Sequence, residues 1–308
     1  MLRRTLVALV AARARSLSGG GGTPRLAYDH LYHIGSPVDV FKHCVLSLLL
    51  RRCTEKASPL TFVETHAGRG VYARDSGEAL RLREFEDGVD VLAARAAAAT
   101  ATVHRDVAAF LAAQTEGAYV GSAALAALAL RPGDRALYFE RDAACADALR
   151  TALGGLEDAP CQREVRDGDG YAGARRLRAE TRGCVFVDPP YQEGSDTDLV
   201  AALAGHLAVH WRSARLAVWY PAGDDAASAR RTARLRDAVL AATGSFGVLD
   251  ATLTLPDAPS ARLRSSGVLF VQPPFKLDDD LGDMLPNLAA LLCADGGATT
   301  RVEWLRES

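Results

Sequence analysis

Residues 185–191 of this 308-residue chain read VFVDPPY, a β-branched apolar run that stops on an acid, two prolines and a tyrosine. A strand end of this kind suits one demanding task. An exocyclic amine on a nucleobase is a poor nucleophile because its lone pair is delocalised into the ring. A site that makes it react must hold both of its N–H groups with acceptors. Asp188 offers a carboxylate for one, and the backbone carbonyl of Pro189, its geometry stiffened by the ring of Pro190, offers the other. Tyr191 adds a face on which a purine can stack. The plainer alternative is a proline-terminated strand with an accidental acid. Residues 269–275, LFVQPPF, repeat the shape with Gln272 for the acid. An amide oxygen accepts a hydrogen bond but carries no charge to stabilise a developing ammonium. This second copy reads as architecture, with Phe275 expected to pack against its neighbours.

Three earlier strand ends carry residues suited to a ligand. In FVETHAGRG (62–70), Gly68 and Gly70 let a turn approach a ligand closely, though an ordinary strand-to-helix turn fits as well. In ALYFERD (136–142), Glu140 can accept from a ribose diol, or can simply be an acid at a helix start. RDGDGY (166–171) offers Asp167 and Asp169 among glycines, or only a turn. Three such ends in this order argue for a nucleoside-containing cofactor. No GxxxxGK[ST] phosphate grip is present. A fourth cluster is N-terminal, YDHLYHIGSPVDVFKHC (28–44), with Lys42 and His43 near a helix start and Tyr28, His30 and His33 upstream. Ser36, Pro37 and Asp39 make a good helix N-terminus, and Val40, Cys44, Val45, Leu48 and Leu49 an apolar face. A zinc site from His30, His33 and His43 is conceivable, but no other ligand set has metal spacing, and no metal is expected. A cofactor carboxylate or a substrate phosphate, or solvated surface histidines, are the other readings.

The elements that must position these residues alternate. Strand-like runs at 60–65, 135–140, 161–166, 184–188 and 216–220 are separated mostly by helical sequence, which implies right-handed βαβ crossovers and a mostly parallel sheet. Residues 246–255 and 268–272 follow each other without a helix and should form an antiparallel edge hairpin. The first two strands lie about 70 residues apart, where a βαβ connection needs about 20 to 30. Part of the excess is a helix at 122–130; residues 73–117 read as an inserted helical subdomain.

Composition sets the outer bounds. The chain is 49 % hydrophobic, long enough for one large α/β domain with an insertion. The first 25 residues hold five arginines and no acid, the composition of an organelle transit peptide ending near residue 24, with the domain at 25–308. Without those arginines the net charge is near −7, so a nucleic acid must be drawn by a local basic patch. Six scattered cysteines fit reduced thiols. No apolar run approaches the roughly 20 residues of a membrane helix. A monomer with no membrane partner is expected.

Taken in order, YDHLYHIGSPVDVFKH, ETHAGRG, GSAALAALAL, YFERD, DGDGY, VDPPY, LAVWYP and SSGVLFVQPPF resemble the bacterial 23S ribosomal RNA adenine-N6 methyltransferase J family, over about residues 27–304. The resemblance implies a class I S-adenosylmethionine-dependent fold: a Rossmann-like, mostly parallel seven-stranded sheet with an antiparallel edge hairpin and a helical insertion. It implies that His43, His66, Gly68, Ser122, Glu140, Asp169, Gly170 and Asp188 contact S-adenosylmethionine, that Asp188 is catalytic with Pro189 and Tyr191, and that Tyr28, His30, Lys42 and Tyr191 face a ribosomal RNA substrate. Pro37, Glu64 and Arg69 depart from the family's usual residues, and the leader points to a mitochondrial or chloroplast setting. DPPY alone would also fit a DNA adenine methyltransferase; a small-molecule or glutamine amine methyltransferase and a non-enzymatic ribosome-assembly binder are further alternatives.

Overall fold

The computed structural model describes residues 32–156, 159–177, 182–191, 194–223, 225–256 and 263–307. Tyr28, His30 and the arginine-rich leader lie outside them. The first helix, α1 (Pro37–Thr54), starts where Ser36 accepts from the Asp39 N–H (3.3 Å) and Pro37 fills a position that needs no donor. Its expected apolar face is buried, and so are Phe41, Leu46 and Leu50 on the other sides. A helix apolar all round belongs inside a core, and α1 is packed there.

Strand β1 (Leu60–Glu64) follows. The chain then leaves the sheet through the short strand β2 (Val71–Ala73), α2 (Gly77–Leu82), a π-helical turn (Glu86–Asp90), α3 (Val91–Ala98) and α4 (Arg105–Ala113). It returns on β3 (Ala118–Val120), which pairs antiparallel with β2. Leu92, Val107 and Phe110 of this excursion join the same core cluster as α1 and β1, so it shares the main core instead of carrying its own. Beyond it come α5 (Ser122–Ala129), β4 (Arg135–Glu140), α6 (Ala143–Gly154), β5 (Gln162–Asp167), α7 (Gly170–Arg175), β6 (Arg182–Val187), α8 (Asp196–His210), β7 (Ala214–Ala222) and α9 (Ala226–Ala242). The last elements are β8 (Val248–Thr254), β9 (Ser265–Val271), α10 (Leu277–Leu292) and β10 (Thr299–Arg306).

The sheet runs β10-β8-β9-β7-β6-β1-β4-β5. From β7 to β5 its strands are parallel; β9, β8 and β10 are antiparallel. The mostly parallel sheet with antiparallel edge strands is the expected class. It has eight strands where seven were expected, because β10 adds one beyond the hairpin. TTRVEWLR is half-exposed and charged, so it lacks the apolar run that marks the inner strands.

Side-chain alternation divides the core in two. Phe62, Tyr138 and Phe186 face one helical layer with α1, α5 and α10, while Val63, Phe139 and Val187 face the other with α7, α8 and α9. Strands covered on both faces read as continuous apolar runs, which is why they were legible. Loop packing is equally tight at one point: a Cβ on Gly170 would sit 2.0 Å from the Thr65 carbonyl oxygen. Gly170→Ala must push apart the turns after β1 and β5. We expect it to cost about 1–3 kcal/mol, as other overpacked sites do, read as a lower urea midpoint with an unchanged slope.

Candidate active site

The parallel strands β1, β4, β5 and β6 deliver their carboxyl ends to one edge of the sheet, the edge where ligands bind in open α/β folds. The turn after β1 is stitched to its neighbours by backbone bonds from Thr65 N–H to the Phe186 carbonyl (3.1 Å) and from Ala67 N–H to the Phe139 carbonyl (3.0 Å). Gly68, in the left-handed region at φ 60°, aims its N–H at Glu140 Oε2 (2.8 Å). Glu140 Oε1 accepts from the Asp142 N–H (2.8 Å). Each oxygen therefore shapes a loop and keeps further acceptor capacity. Asp169 Oδ1 caps α7 by accepting from the Tyr171 (2.8 Å) and Ala172 (3.2 Å) N–H groups, so the turn reading of that motif is also realised.

Glu64 closes β1 with no exposure at all. Its carboxyl oxygens lack a well-formed hydrogen bond among the described residues, and the Ser122 hydroxyl is the donor that approaches them. Burial pushes its pKa up to about 8; the Ser122 hydroxyl at the start of α5 tempers this, and the Asp188 charge adds to it. His66 sits alongside, its Nδ1 2.8 Å from the Thr65 hydroxyl and its ring edge-on to Tyr171 at 5.0 Å. Burial lowers its pKa to about 4 against the opposing pull of Asp188 and Asp169, so the ring is neutral at physiological pH. A buried acid so poorly met calls for a ligand that brings donors or positive charge. S-adenosylmethionine carries an ammonium, a sulfonium and a ribose diol, and the acids Glu64, Glu140 and Asp169 across three strand ends match that set.

Asp188, at the tip of β6, is reached from α1. The Lys42 ammonium donates to Asp188 Oδ2 and pairs with Asp39 Oδ1, both at 2.7 Å. Lys42 and Asp39 are each 4 % exposed and Asp188 15 %. Burial works against the lysine's charge, but Asp188 and Asp39 together outweigh it and hold its pKa above the usual value. Asp39 also accepts from the Gly35 N–H (2.9 Å). His43, one step along the helix, is enclosed: its Nδ1 lies 2.5 Å from the Tyr119 hydroxyl and its ring stacks on Phe110. It faces the inserted segment more than the strand tips.

A cleft of about 270 Å³ opens over Asp188. Val38, Pro190, Trp219, Pro221 and Leu263 supply its apolar wall; His33, Ser36, Asp39, Lys42, Glu84 and Asp188 supply the polar groups. Tyr191 does not line it. The ring is part-buried, its hydroxyl donates to the Trp219 carbonyl (2.9 Å), and its backbone is left-handed at φ 51°. The stacking face expected there is turned inward in this structure. Trp219, on β7, is the aromatic side chain in the cleft, with Lys42 Nζ 5.5 Å from its ring centroid. Sequence reasoning gave no role to Trp219 or Glu84 and treated Asp39 only as a helix-start acid. The Asp39–Lys42 spacing of three on a helix was the available signal.

The second PP string lies elsewhere. Because β9 runs antiparallel to β7, LFVQPPF ends at the opposite edge of the sheet. Gln272 donates to the Arg212 carbonyl (2.8 Å). Phe275 does not pack as expected: it is 84 % exposed in the turn that leads into α10, where the neighbouring Lys276 ammonium lies 5.7 Å from its ring centroid.

Two consequences can be measured. Glu64 has a folded pKa above its unfolded value, so its contribution is fully present below about pH 4.5 and is lost as pH rises toward 8. Glu64→Gln should flatten the fall of urea stability across that window and be the more stable protein at pH 8. Lys42→Met leaves two carboxylates facing each other. Breaking a fully buried pair costs roughly 3–5 kcal/mol, and the partial exposure of Asp188 places the loss toward or below the lower figure. Adding Asp39→Asn should recover part of it in a double-mutant cycle.

Comparison with known proteins places this geometry. A family model described as "Ribosomal RNA large subunit methyltransferase D, RlmJ" matches residues 57–306. The chain is 28 % identical over 289 residues to "Ribosomal RNA large subunit methyltransferase J" of Haemophilus influenzae, covering 91 % of this chain and 99 % of that protein. It is 29 % identical over 287 residues to the Escherichia coli protein of the same name, with the same coverage. Protein LPL1258 of Legionella pneumophila, a solved structure, superposes with a TM-score of 0.73 at 22 % identity, over 88 % of this chain and 97 % of that one, which establishes the shared fold. The matched span carries every strand tip described above, and the chain belongs to the RlmJ family of ribosomal RNA large subunit methyltransferases.

Proposed function

We propose that the protein transfers a methyl group from S-adenosylmethionine to the N6 amine of an adenine in large-subunit ribosomal RNA. The observation that carries this reading is the placement of Asp188: a strand-tip carboxylate at a cleft, with Oδ2 held by Lys42 and no partner on Oδ1 among the described residues. Oδ1 accepts one N6 hydrogen and the Pro189 carbonyl accepts the other. Both acceptors pull the nitrogen lone pair out of conjugation and toward attack. The bound cofactor supplies an electrophilic methyl group. As the nitrogen gains positive charge, the Asp188 carboxylate stabilises it; the Asp39–Lys42–Asp188 group retains a net negative charge for that purpose. Lys42 keeps the carboxylate oriented, and orientation supplies much of the rate when two reactants are held in line.

Glu64, Gly68, Ser122, Glu140, Asp169 and Gly170 hold the cofactor on this reading, beside the neutral His66. The purine lies against Trp219 in the cleft, and Tyr191 braces that strand through its carbonyl. The target base must leave its stack, which is cheapest for an unpaired or loop adenine. The leader, outside the described residues, would deliver the enzyme to a mitochondrion or chloroplast.

Tritiated methyl incorporation into undermethylated large-subunit ribosomal RNA, DNA and protein checks the substrate. We expect label in the RNA, as N6-methyladenine. Asp188→Asn should lower it at least about a hundredfold in a protein that still folds cooperatively, with a lower melting point because Lys42 loses one of its two charge partners. Label confined to protein, or an undiminished rate in Asp188→Asn, would sink the reading.

A further inference from the structure

The cleft holds a polar pair that the amine clamp does not use. Glu84, which follows α2 in the inserted segment, is only 5 % exposed at its side chain, yet it lines the same cleft as Asp188. His33 Nδ1 lies 3.1 Å from both of its oxygens. The pair is fixed from both sides: the Val89 N–H, five residues beyond Glu84, donates to the Gly35 carbonyl (2.9 Å), two residues beyond His33. One imidazole hydrogen shared between two oxygens orients a carboxylate without exhausting it, since an ionised carboxyl has about four acceptor positions.

A buried carboxylate facing a binding cleft needs a donor from the ligand or water, and what an RNA strand can offer is limited. A phosphate has no donor and is repelled. Among the described lining residues, three carboxylates, Asp39, Glu84 and Asp188, stand against the one fixed cation Lys42, a balance that disfavours phosphate and favours donors. Within a chain the 3′ and 5′ oxygens of a target adenosine are esterified. Its strong donors are then the two N6 hydrogens and the 2′-hydroxyl. The amine hydrogens go to Asp188 and the Pro189 carbonyl. The 2′-hydroxyl is the donor that remains.

We propose that Glu84, positioned by His33, accepts the 2′-hydroxyl of the target adenosine and makes the site select RNA over DNA. The inference rests on the N6-methylation reading above. The exposures agree with it: the amine must reach Asp188, 15 % exposed, and the ribose that follows it can meet the pair from the side of His33, 28 % exposed. A deoxynucleotide would leave the desolvated carboxylate with His33 as its donor and its cleft-facing acceptor positions unmet, and sites built to bind a hydroxyl discriminate strongly against the analogue that lacks it. Glu84 is a specificity residue here, and His33 a positioning residue that acts through it.

The test uses the full chain. The adenine that the wild-type protein methylates in undermethylated large-subunit ribosomal RNA is mapped first. A short synthetic RNA around it is then made in two forms, all-ribose and with a single 2′-deoxyadenosine at the target. We expect wild-type kcat/KM to fall about tenfold or more on the deoxy form, equivalent to about 1.4 kcal/mol or more. Glu84→Ala should bring the ratio of the two substrates close to one, Glu84→Gln should restore part of it, and His33→Ala should fall between. A merely structural role would lower both rates together and keep the ratio. Equal rates of the wild-type protein on the two forms overturn the proposal while leaving RNA methylation standing, and need no variant to fold. An unchanged ratio in Glu84→Ala overturns it as well. Failure of the wild-type protein to methylate any RNA overturns the underlying reading and this proposal with it.

Discussion

One ammonium held between two carboxylates joins the first helix to the tip of the central strand. Lys42 is almost fully enclosed and keeps its charge only because Asp39 and Asp188 surround it at 2.7 Å each. Removing charges from water is costly, and the attraction among them repays it only when the geometry is good and the remaining valences are met. That requirement ties three parts of the molecule together: the capped start of α1, the end of β6, and the Gly35 loop whose N–H also reaches Asp39. Were α1 to shift along its axis, the reactive carboxylate would lose its orientation and the cleft its wall.

The insertion gains meaning from the same constraint. Its helix α4 packs on α1 with Val107 and Phe110 in the shared core, Leu92 joins that core from α3, and its Tyr119 hydroxyl lies against His43. The segment therefore buttresses the helix that carries Lys42, and brings Glu84 to the cleft. A helical excursion after the first strand thus contributes both rigidity and one wall of the binding site.

Much of this was legible in the amino-acid order, for identifiable reasons. Inner strands covered on both faces must be apolar throughout, so 60–65, 135–140 and 184–188 lie within a residue or two of β1, β4 and β6. The start of α1 was legible because Ser36, Pro37 and Asp39 each meet a local need of the backbone. Long-range pairings were not. Nothing local in Asp39, Lys42 or Glu84 says that a strand tip 146 residues beyond Lys42 completes the group. Strand β10 was missed because an edge strand half in water has no apolar run to announce it. The inward turn of Tyr191 depends on a left-handed residue that is not glycine, a conformation side-chain type does not foretell.

The two PP strings show what a short motif can and cannot encode. Each instructs the chain to stop a strand and turn; neither states where in the molecule the turn will be. β6 enters the sheet through a crossover that keeps it parallel to β1, whereas β9 enters reversed beside β7. The same seven-residue pattern is thereby delivered to opposite poles, with the left-handed residue at Tyr191 in one and at Gln272 in the other. Strand polarity, inherited from the connection that precedes the motif, is therefore part of the motif's meaning. A search by string alone would count two copies where the topology permits one.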